Sequence, residues 1–422
     1  MNVLVIGRGG REHAIVWALA KSPKVRRLYC APGNAGIAEL AECAPIAENR
    51  FDDIARFALE RRIDLVVVGP DDPLGAGIVD ALEARGLAVF GPNRAAAEIE
   101  SSKVFMKGLL KKYGIPTAAY ETFDRYEDAL AYVESRPLPI VIKADGLAAG
   151  KGVVVARTRE EAVEALRRAM VERVFGASGD RVVIEEFMEG QEMSILSFVD
   201  GETVRPMVPA QDHKPVFDGD RGPNTGGMGT YAPLPHIPES VVREAVERII
   251  KPTAKAMVAE GRPFRGVLYA GLMVTADGPK VVEFNSRFGD PEAQVVLPLL
   301  ESDLLDVLLA VVEGRLDRAD IRWSDKAAVC VIAASAGYPG DYRKGVPIEG
   351  IDRVRDAIVF HAGTARDGDR IVTSGGRVLG VTALGATIAE ARAKAYEQLA
   401  HIRFDGMHYR TDIARRALEA AR

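Results

Sequence analysis

Apolar positions in the first hundred residues come in short runs separated by amphipathic segments. Val3-Leu4-Val5-Ile6 is a run of strand length, followed by a glycine turn and a helical pattern from about Arg11 to Lys21. Val25–Cys30, Leu65–Val68 and Leu87–Phe90 repeat the strand signature, with helical patterns between them. Such alternation predicts a parallel sheet covered on both faces. Ligands of such sheets bind outside the carboxyl ends of the strands. Three loops would lie there: Gly7-Arg8-Gly9-Gly10, Pro32-Gly33-Asn34 and Gly69-Pro70-Asp71-Asp72-Pro73.

Gly91-Pro92 interrupts the alternation. A helix is expected from Ser102 to about Tyr113, then a smaller α/β unit ending near Glu185. The stretch from Pro209 to Pro235, rich in Gly, Pro and Asp, is too long for an ordinary connection and reads as a functional loop. A helix over Glu239–Glu260 and strands over Gly266–Thr275 and Lys280–Asn285 follow, and a β-rich unit begins near Ala327.

Composition narrows the class. A chain of 422 residues exceeds one ordinary core, and 48% hydrophobic with 27% charged residues suits a globular protein. A net charge of -5 argues against a nucleic-acid surface, which needs clustered Lys and Arg. Cys30, Cys43 and Cys330 have no metal-ligand spacing and read as small buried side chains. No uncharged run reaches the roughly 18 residues of a membrane helix, and the apolar start is too short for a signal peptide. The expectation is a cytoplasmic protein with no membrane and no nucleic-acid partner.

Two motifs resemble known phosphate binders and fail. Gly7-Arg8-Gly9-Gly10-Arg11-Glu12 carries Glu12 where a dinucleotide fingerprint has its third glycine, and no acidic residue ends the second strand. An anion at that helix N-terminus remains reasonable. Gly146–Gly152 is one residue too short for a P-loop and has Gly152 in place of the magnesium-binding Ser or Thr.

Other segments carry chemistry. In Val281-Val282-Glu283-Phe284-Asn285, strand alternation puts Glu283 and Asn285 on one face and Val282 and Phe284 on the other. Two hard oxygen donors side by side suit Mg²⁺; the alternative is a solvated strand face. Arg287 follows, placed for a phosphoryl group or a carboxylate. Ile140-Val141-Ile142-Lys143 is an apolar strand whose lysine needs an anionic partner. The small residues Ala148–Gly152 could fold over a triphosphate, or form a solvated hairpin tip. Val182–Phe187 reads as a strand whose free edge could hydrogen-bond an adenine, with acids nearby for ribose hydroxyls.

In this order the pieces resemble the ATP-grasp superfamily, and within it the phosphoribosylamine–glycine ligase family. The resemblance spans nearly the whole chain. It is carried by Gly7–His13, Ile142–Gly152, Pro209–Lys214, Asp218–Asp220, Gly222–Gly229, and Arg287–Glu292 with Gln294. Ser101 departs from the family pattern, which has Gly beside the Ser-Lys pair. The resemblance implies an α/β multidomain ATP-grasp architecture. An N-terminal parallel-sheet domain would span 1–102. The first part of the ATP-grasp, with a small lid, would span 103–188, a central α+β domain 189–325, and a β-rich C-terminal domain 326–422.

It also implies the reaction of ATP, glycine and 5-phosphoribosylamine through glycyl phosphate, with Mg²⁺ or Mn²⁺, in a monomer. By resemblance, Lys103, Lys143, Gly150, Lys151 and Gly152 would contact ATP phosphates. Glu185 and Met188 would serve adenine through the backbone, and Glu192 the ribose. Glu283 and Asn285 would carry the metal, and Arg287 would stabilise the transferring phosphoryl group. Asp212, His213 and Lys214 would face the substrates, His213 either catalytically or as a structural hydrogen-bonding group. Asp290 belongs to the signature stretch, and Gly9, Gly10 and Asn34 would meet the ribose phosphate. Two rival readings are another carboxylate–amine ligase of the superfamily and a non-catalytic nucleotide-binding regulator.

Overall fold

A computed structural model describes residues 1–148 and 151–420. Five parallel strands form the N-terminal sheet: β1 (Asn2–Gly7), β2 (Arg27–Pro32), β3 (Glu42–Cys43), β4 (Leu65–Val68) and β5 (Val89–Phe90), in the order β3-β2-β1-β4-β5. Val3 and Val5 pack with Ile15, Val16 and Leu19, while Leu4 and Ile6 pack with Ile54 and Ile78 on the opposite face. Burial on both faces explains why β1 is a continuous apolar run. The short β3 left no hydrophobic signature. β2 begins two residues later than expected, at Arg27, and the run from Leu87 pairs only at Val89–Phe90.

The next sheet is antiparallel and has its own core. It comprises β6 (Tyr120–Phe123), β7 (Ile140–Ala144), β8 (Val153–Ala156) and β9 (Val182–Glu186), in the order β6-β9-β7-β8. Ile140, Ile142, Val182 and Ile184 pack with Leu166 and Ala129 beneath it. β9 is therefore interior, not the free edge expected, with Glu185 paired to Tyr120 on one side and Val141 on the other.

After β10 (Gln191–Asp200) and β11 (Thr203–Pro206), the stretch expected as a long loop proves to be structured. It contains β12 (Gln211–Asp212), β13 (Pro215–Phe217), β14 (Arg221–Asn224) and β15 (Gly229–Ala232). The helical run Glu239–Ala259 is continuous, with a π turn at Val246–Ile250. β16 (Arg265–Thr275) and β17 (Gly278–Asn285) complete a sheet of order β11-β10-β16-β17.

The C-terminal strands are β18 (Ala327–Ala334), β19 (Ile358–His361), β20 (Thr364–Asp367), β21 (Arg370–Thr373) and β22 (Arg377–Gly385). β12 and β15 join them in a sheet of order β12-β15-β18-β22-β19. Within the stretch β12 pairs with β15 and β13 with β14, and β15 finds its second partner, β18, a hundred residues further on, a pairing with no local signature. Gly229 is needed there: at φ +153°, a Cβ would stand 2.7 Å from the Cys330 carbonyl oxygen. No helix among the described residues is long and apolar enough to cross a membrane.

Candidate active site

β17 lays down the first part of the site, with an irregularity that alternation did not foresee. The ladder with β16 shifts register between Gly271 and Leu272, so Val282 is the extra residue of a bulge. Val281 and Phe284 enter the core, correcting the expectation that Val282 would. Glu283 and Asn285 still share a half-buried face. The Val282 carbonyl accepts a hydrogen bond from Lys143 Nζ at 3.1 Å. Opposite Glu283 stands Gly271, where a Cβ would come within 3.1 Å of the Glu283 Cγ. Lys214 Nζ lies 3.5 Å from Glu283 Oε1. Burial alone would raise the Glu283 carboxyl, but Lys214, Lys143, Lys103 and Arg287 bring it down to about 2. It is an ionised oxygen donor at any ordinary pH.

Facing it are the lysines. Lys103 begins the helix Lys103–Lys112 and donates to the Gly146 carbonyl at 3.0 Å. Asp145 fastens this helix start to the end of β7, accepting from the Val104 amide at 2.9 Å and from Ser102 Oγ at 3.1 Å. Lys143 Nζ stands 3.0 Å from Glu185 Oε1, the anionic partner its burial required. The same oxygen is 3.2 Å from Lys107 Nζ, which donates to Thr117 Oγ1 at 2.7 Å. Lys107 is fully buried, and burial pushes it down to about 8 against the opposing pull of Glu185. The sequence reading missed Lys107; its signal is a lysine four residues after Lys103, amid the buried Met106, Leu109 and Leu110.

Glu185 thus presents its side chain to lysines, and its backbone is used in the sheet. Met188 is half-buried just beyond the strand, and Glu192 is half-buried on β10. Lys151 is exposed and its amide donates to the Ala148 carbonyl at 2.8 Å, while the Gly152 carbonyl accepts from Ala144 at 2.8 Å. Gly150 lies outside the described residues.

Arg287 is gripped from the opposite side. Its Nη2 is 2.9 Å from Glu100 Oε1 and 4.0 Å from Asp71 Oδ2. The second Glu100 oxygen accepts from Ser286 N at 2.9 Å and Ser286 Oγ at 2.8 Å. Burial works against the guanidinium charge, but Glu100 and Asp71 outweigh it and raise its pKa. The Arg287 Nε is buried without a hydrogen-bond partner among the described residues. Glu100, on an otherwise ordinary amphipathic helix, could not be singled out in the sequence.

A group of acids adjoins Arg287 and Lys214. Asp212 is 6% exposed, and burial pushes its carboxyl up to about 8, helped by Glu292, Glu192 and Glu283 and opposed by Lys214. Glu292 Oε1 accepts from Tyr269 OH at 2.9 Å, and that hydroxyl lies 2.8 Å from Ser194 Oγ.

Other candidates are bonded within the protein. His213 has Gly229 O 3.2 Å from Nδ1, and its Nε2 accepts the Ala414 amide at 3.3 Å. Both nitrogens are committed within the protein and burial lowers its pKa to about 4, which fits the structural alternative for this residue. The Asp290 carboxylate meets Arg377 at 3.3 Å, Gln294 Nε2 at 2.9 Å and the Arg11 amide at 3.3 Å. It joins the first helix to β22, with Oδ1 shared by Arg377 and Gln294 and Oδ2 accepting from the Arg11 amide. Asn34 donates to the carbonyls of Arg8 (2.8 Å) and His361 (2.9 Å) and accepts from the Gly36 and Ile37 amides at 3.0 and 2.9 Å. Its hydrogen-bonding capacity is spent on the backbone.

At the first helix, the Gly9 amide donates to Glu12 Oε2 at 2.7 Å. Glu12 fills space that side chains at Gly7 or Gly69 would occupy, which is why a third glycine is absent. Gly10 makes room for Gln294, whose Nε2 would be 2.4 Å from a Cβ there. Two carboxylates therefore already cap this helix terminus.

Family models for the phosphoribosylglycinamide synthetase N domain, ATP-grasp (A) domain and C domain match residues 1–100, 101–293 and 328–416. The chain belongs to the phosphoribosylglycinamide synthetase family. It is an ATP-using ligase of de novo purine biosynthesis. The phosphoribosylamine–glycine ligase of Halalkalibacterium halodurans is 54% identical, covering 99% of this chain and 97% of its own. That of Salmonella typhimurium is 51% identical, covering 99% of both. The crystal structure of the Thermotoga maritima enzyme superposes with a TM-score of 0.87 at 35% identity, covering 98% of this chain and 100% of that one. A biotin carboxylase domain from Hydrogenobacter thermophilus, solved with MgADP, shares the fold, with a TM-score of 0.74 at 16% identity over 99% of this chain and 98% of that one.

Proposed function

We propose that this family member joins glycine to 5-phosphoribosylamine by first phosphorylating the glycine carboxylate. The observation that carries the reading is the convergence of Lys103, Lys143, Lys214 and Arg287 on the ionised Glu283. A carboxylate does not acylate an amine at neutral pH, because oxide is too poor a leaving group. Attack of the glycine carboxylate oxygen on the γ-phosphorus of ATP forms a C–O–P linkage and releases ADP. The neutral amine of phosphoribosylamine then attacks the carbonyl, and phosphate leaves with the oxygen it gained. The protein's work is positioning and charge compensation.

In this reading Lys103, Lys143, Lys151 and the glycines 150 and 152 meet the ATP phosphates. The backbone at Met188, just past the end of β9, meets adenine, and Glu192 the ribose; Glu185, whose backbone is taken up by the sheet, serves through its carboxylate by holding Lys143. Glu283 and Asn285 would hold Mg²⁺ or Mn²⁺; two adjacent hard oxygen donors, one permanently ionised, fit such an ion. A bound divalent ion would neutralise charge on the β- and γ-phosphates. Arg287, fixed by Glu100, stabilises the phosphoryl group in flight and the acyl phosphate. Asp212 and Lys214 face the substrates. Gly9 and Gly10 remain the place for the ribose phosphate, which would compete with Glu12 for the Gly9 amide. Small, freely diffusing substrates suit a cytoplasmic monomer.

Glycine labelled with ¹⁸O in its carboxylate tests the mechanism. The label should appear in inorganic phosphate, with ADP as the other product. Label in AMP, or formation of pyrophosphate, would overturn it.

A further inference from the structure

We infer that the ammonium group of glycine is held between Asp212 and Glu292, which makes these two carboxylates the part of the site that tells an amino acid from a simple carboxylic acid. The inference rests on glycine being the acid substrate.

Glycine at neutral pH carries a positive charge one carbon away from the carboxyl group that must be phosphorylated. A site that fixes the carboxylate near Arg287 and the metal pair must also place an anion within a few ångström of the ammonium, because burying an unpaired charge is expensive. Most anions near Arg287 are already matched. Glu100 is taken by Arg287 and Ser286, and Asp71 also faces Arg287. Glu283 faces Lys214 and the metal position.

Asp212 and Glu292 differ. Asp212 is 6% exposed and makes no ion pair and no side-chain hydrogen bond among the described residues. Glu292 is 3% exposed, and among the described residues its only side-chain hydrogen-bond partner is the neutral Tyr269 hydroxyl.

Placement agrees. Tyr269 stands opposite Asn285 in the β16–β17 ladder, so the hydroxyl holding Glu292 springs from the neighbour of the metal pair. Asp212 reaches the same turn from β12. The point where a Cβ would stand on Gly227 is 3.6 Å from Asp212 Oδ2 and 2.5 Å from the ring of Pro291, the residue before Glu292. A Cβ on Gly289 would fall 2.2 Å from Glu292 Oε2 and 2.8 Å from the Tyr269 ring, so the turn is packed closely around that carboxylate. The Tyr269–Ser194 pair fixes Oε1 of Glu292, while Oε2 has no side-chain partner among the described residues. Burial raises the carboxyls of both Asp212 and Glu292, more than the nearby Lys214 lowers them.

The test compares glycine with acetate, which has the reacting carboxylate and no ammonium, in an ADP-release assay with ATP, Mg²⁺ and phosphoribosylamine. Asp212→Asn and Glu292→Gln, singly and together, are measured beside the unsubstituted enzyme. The unsubstituted enzyme should prefer glycine strongly. Each substitution should raise KM for glycine about tenfold or more, as expected for loss of a charge-assisted hydrogen bond. KM for ATP should stay within about twofold, and the glycine-to-acetate preference should shrink in the double variant. A merely structural role would lower rates with both acids alike and leave the preference intact, which would overturn the inference.

A raised KM for Mg²⁺ with unchanged KM for glycine would overturn it in favour of a second metal position. A selective rise for phosphoribosylamine would overturn it in favour of the amine site. Retained binding of a fluorescent ATP analogue and a cooperative melt show that the variants fold. Should both fail to fold, Asp212→Glu and Glu292→Asp, which keep the charges and shift them by one methylene, must still change the glycine-to-acetate ratio. If the unsubstituted enzyme releases no ADP with glycine, it is the substrate reading that fails, not the ammonium assignment within it.

Discussion

The Glu100 carboxylate stands 2.9 Å from the Arg287 guanidinium, although the two residues are nearly two hundred positions apart. Its other oxygen holds Ser286, so a single buried acid fixes both the direction and the charge of the arginine that precedes the signature turn. Glu100→Gln should slow turnover at saturating ATP and glycine. Glu100→Ala should destabilise the fold by about 3–5 kcal/mol, because removing one partner strands a buried charge. Chemical denaturation and steady-state kinetics of both variants check this; a loss below about 1 kcal/mol in Glu100→Ala would refute the tie.

Lys107 offers a test by pH. Its folded value, about 8, lies below its ordinary 10.5, with burial as the leading cause. Between those values the unfolded chain binds more protons, so this residue makes stability rise as pH increases from about 8 to about 10.5. The slope due to one proton is at most about 1.4 kcal/mol per pH unit. Lys107→Met should lose that contribution, read as the difference between the two proteins' denaturation midpoints across the window. It should also raise KM for ATP, since Glu185 would then bear on Lys143 alone.

Glu283→Gln should leave the fold intact and lower Mg²⁺-supported turnover by about 10²-fold or more, as expected for lost charge stabilisation at a phosphoryl centre. Turnover measured at limiting and saturating Mg²⁺ decides this; near-normal rates at both would remove Glu283 from the metal site.

For His213 the expectation runs the other way. His213→Leu breaks two buried hydrogen bonds and should cost about 1–3 kcal/mol of stability. Well below its melting temperature the variant should keep kcat within about tenfold of the parent, with an unchanged pH profile. A new pH dependence, or loss of turnover without loss of stability, would return His213 to catalysis.

Local signals were enough for much of the architecture. The apolar run Val3–Ile6 and its repeats announced a parallel sheet because a strand buried on both faces has no polar side to show. Strand alternation put Glu283 and Asn285 on one face, and an apolar strand ending in Lys143 demanded the anion that proved to be Glu185. Short-range geometry decides such things, and composition within a few residues records it.

Partners brought together from distant segments left no such record. Only the tertiary structure pairs β15 with β18, shifts the ladder at Val282, and turns β9 into an interior strand. It also commits the polar atoms of His213, Asn34 and Asp290 to bonds within the protein, while Lys107, Glu100 and Glu292 line the site. The amino-acid sequence by itself determined which residue types were available for phosphoryl-transfer chemistry and which strands would carry them. Which of those groups remain free for a ligand was decided by folding, because a hydrogen bond or ion pair depends on distance in space, and a polar side chain reads the same along the chain whether its partner is water, substrate or a carbonyl two hundred residues away.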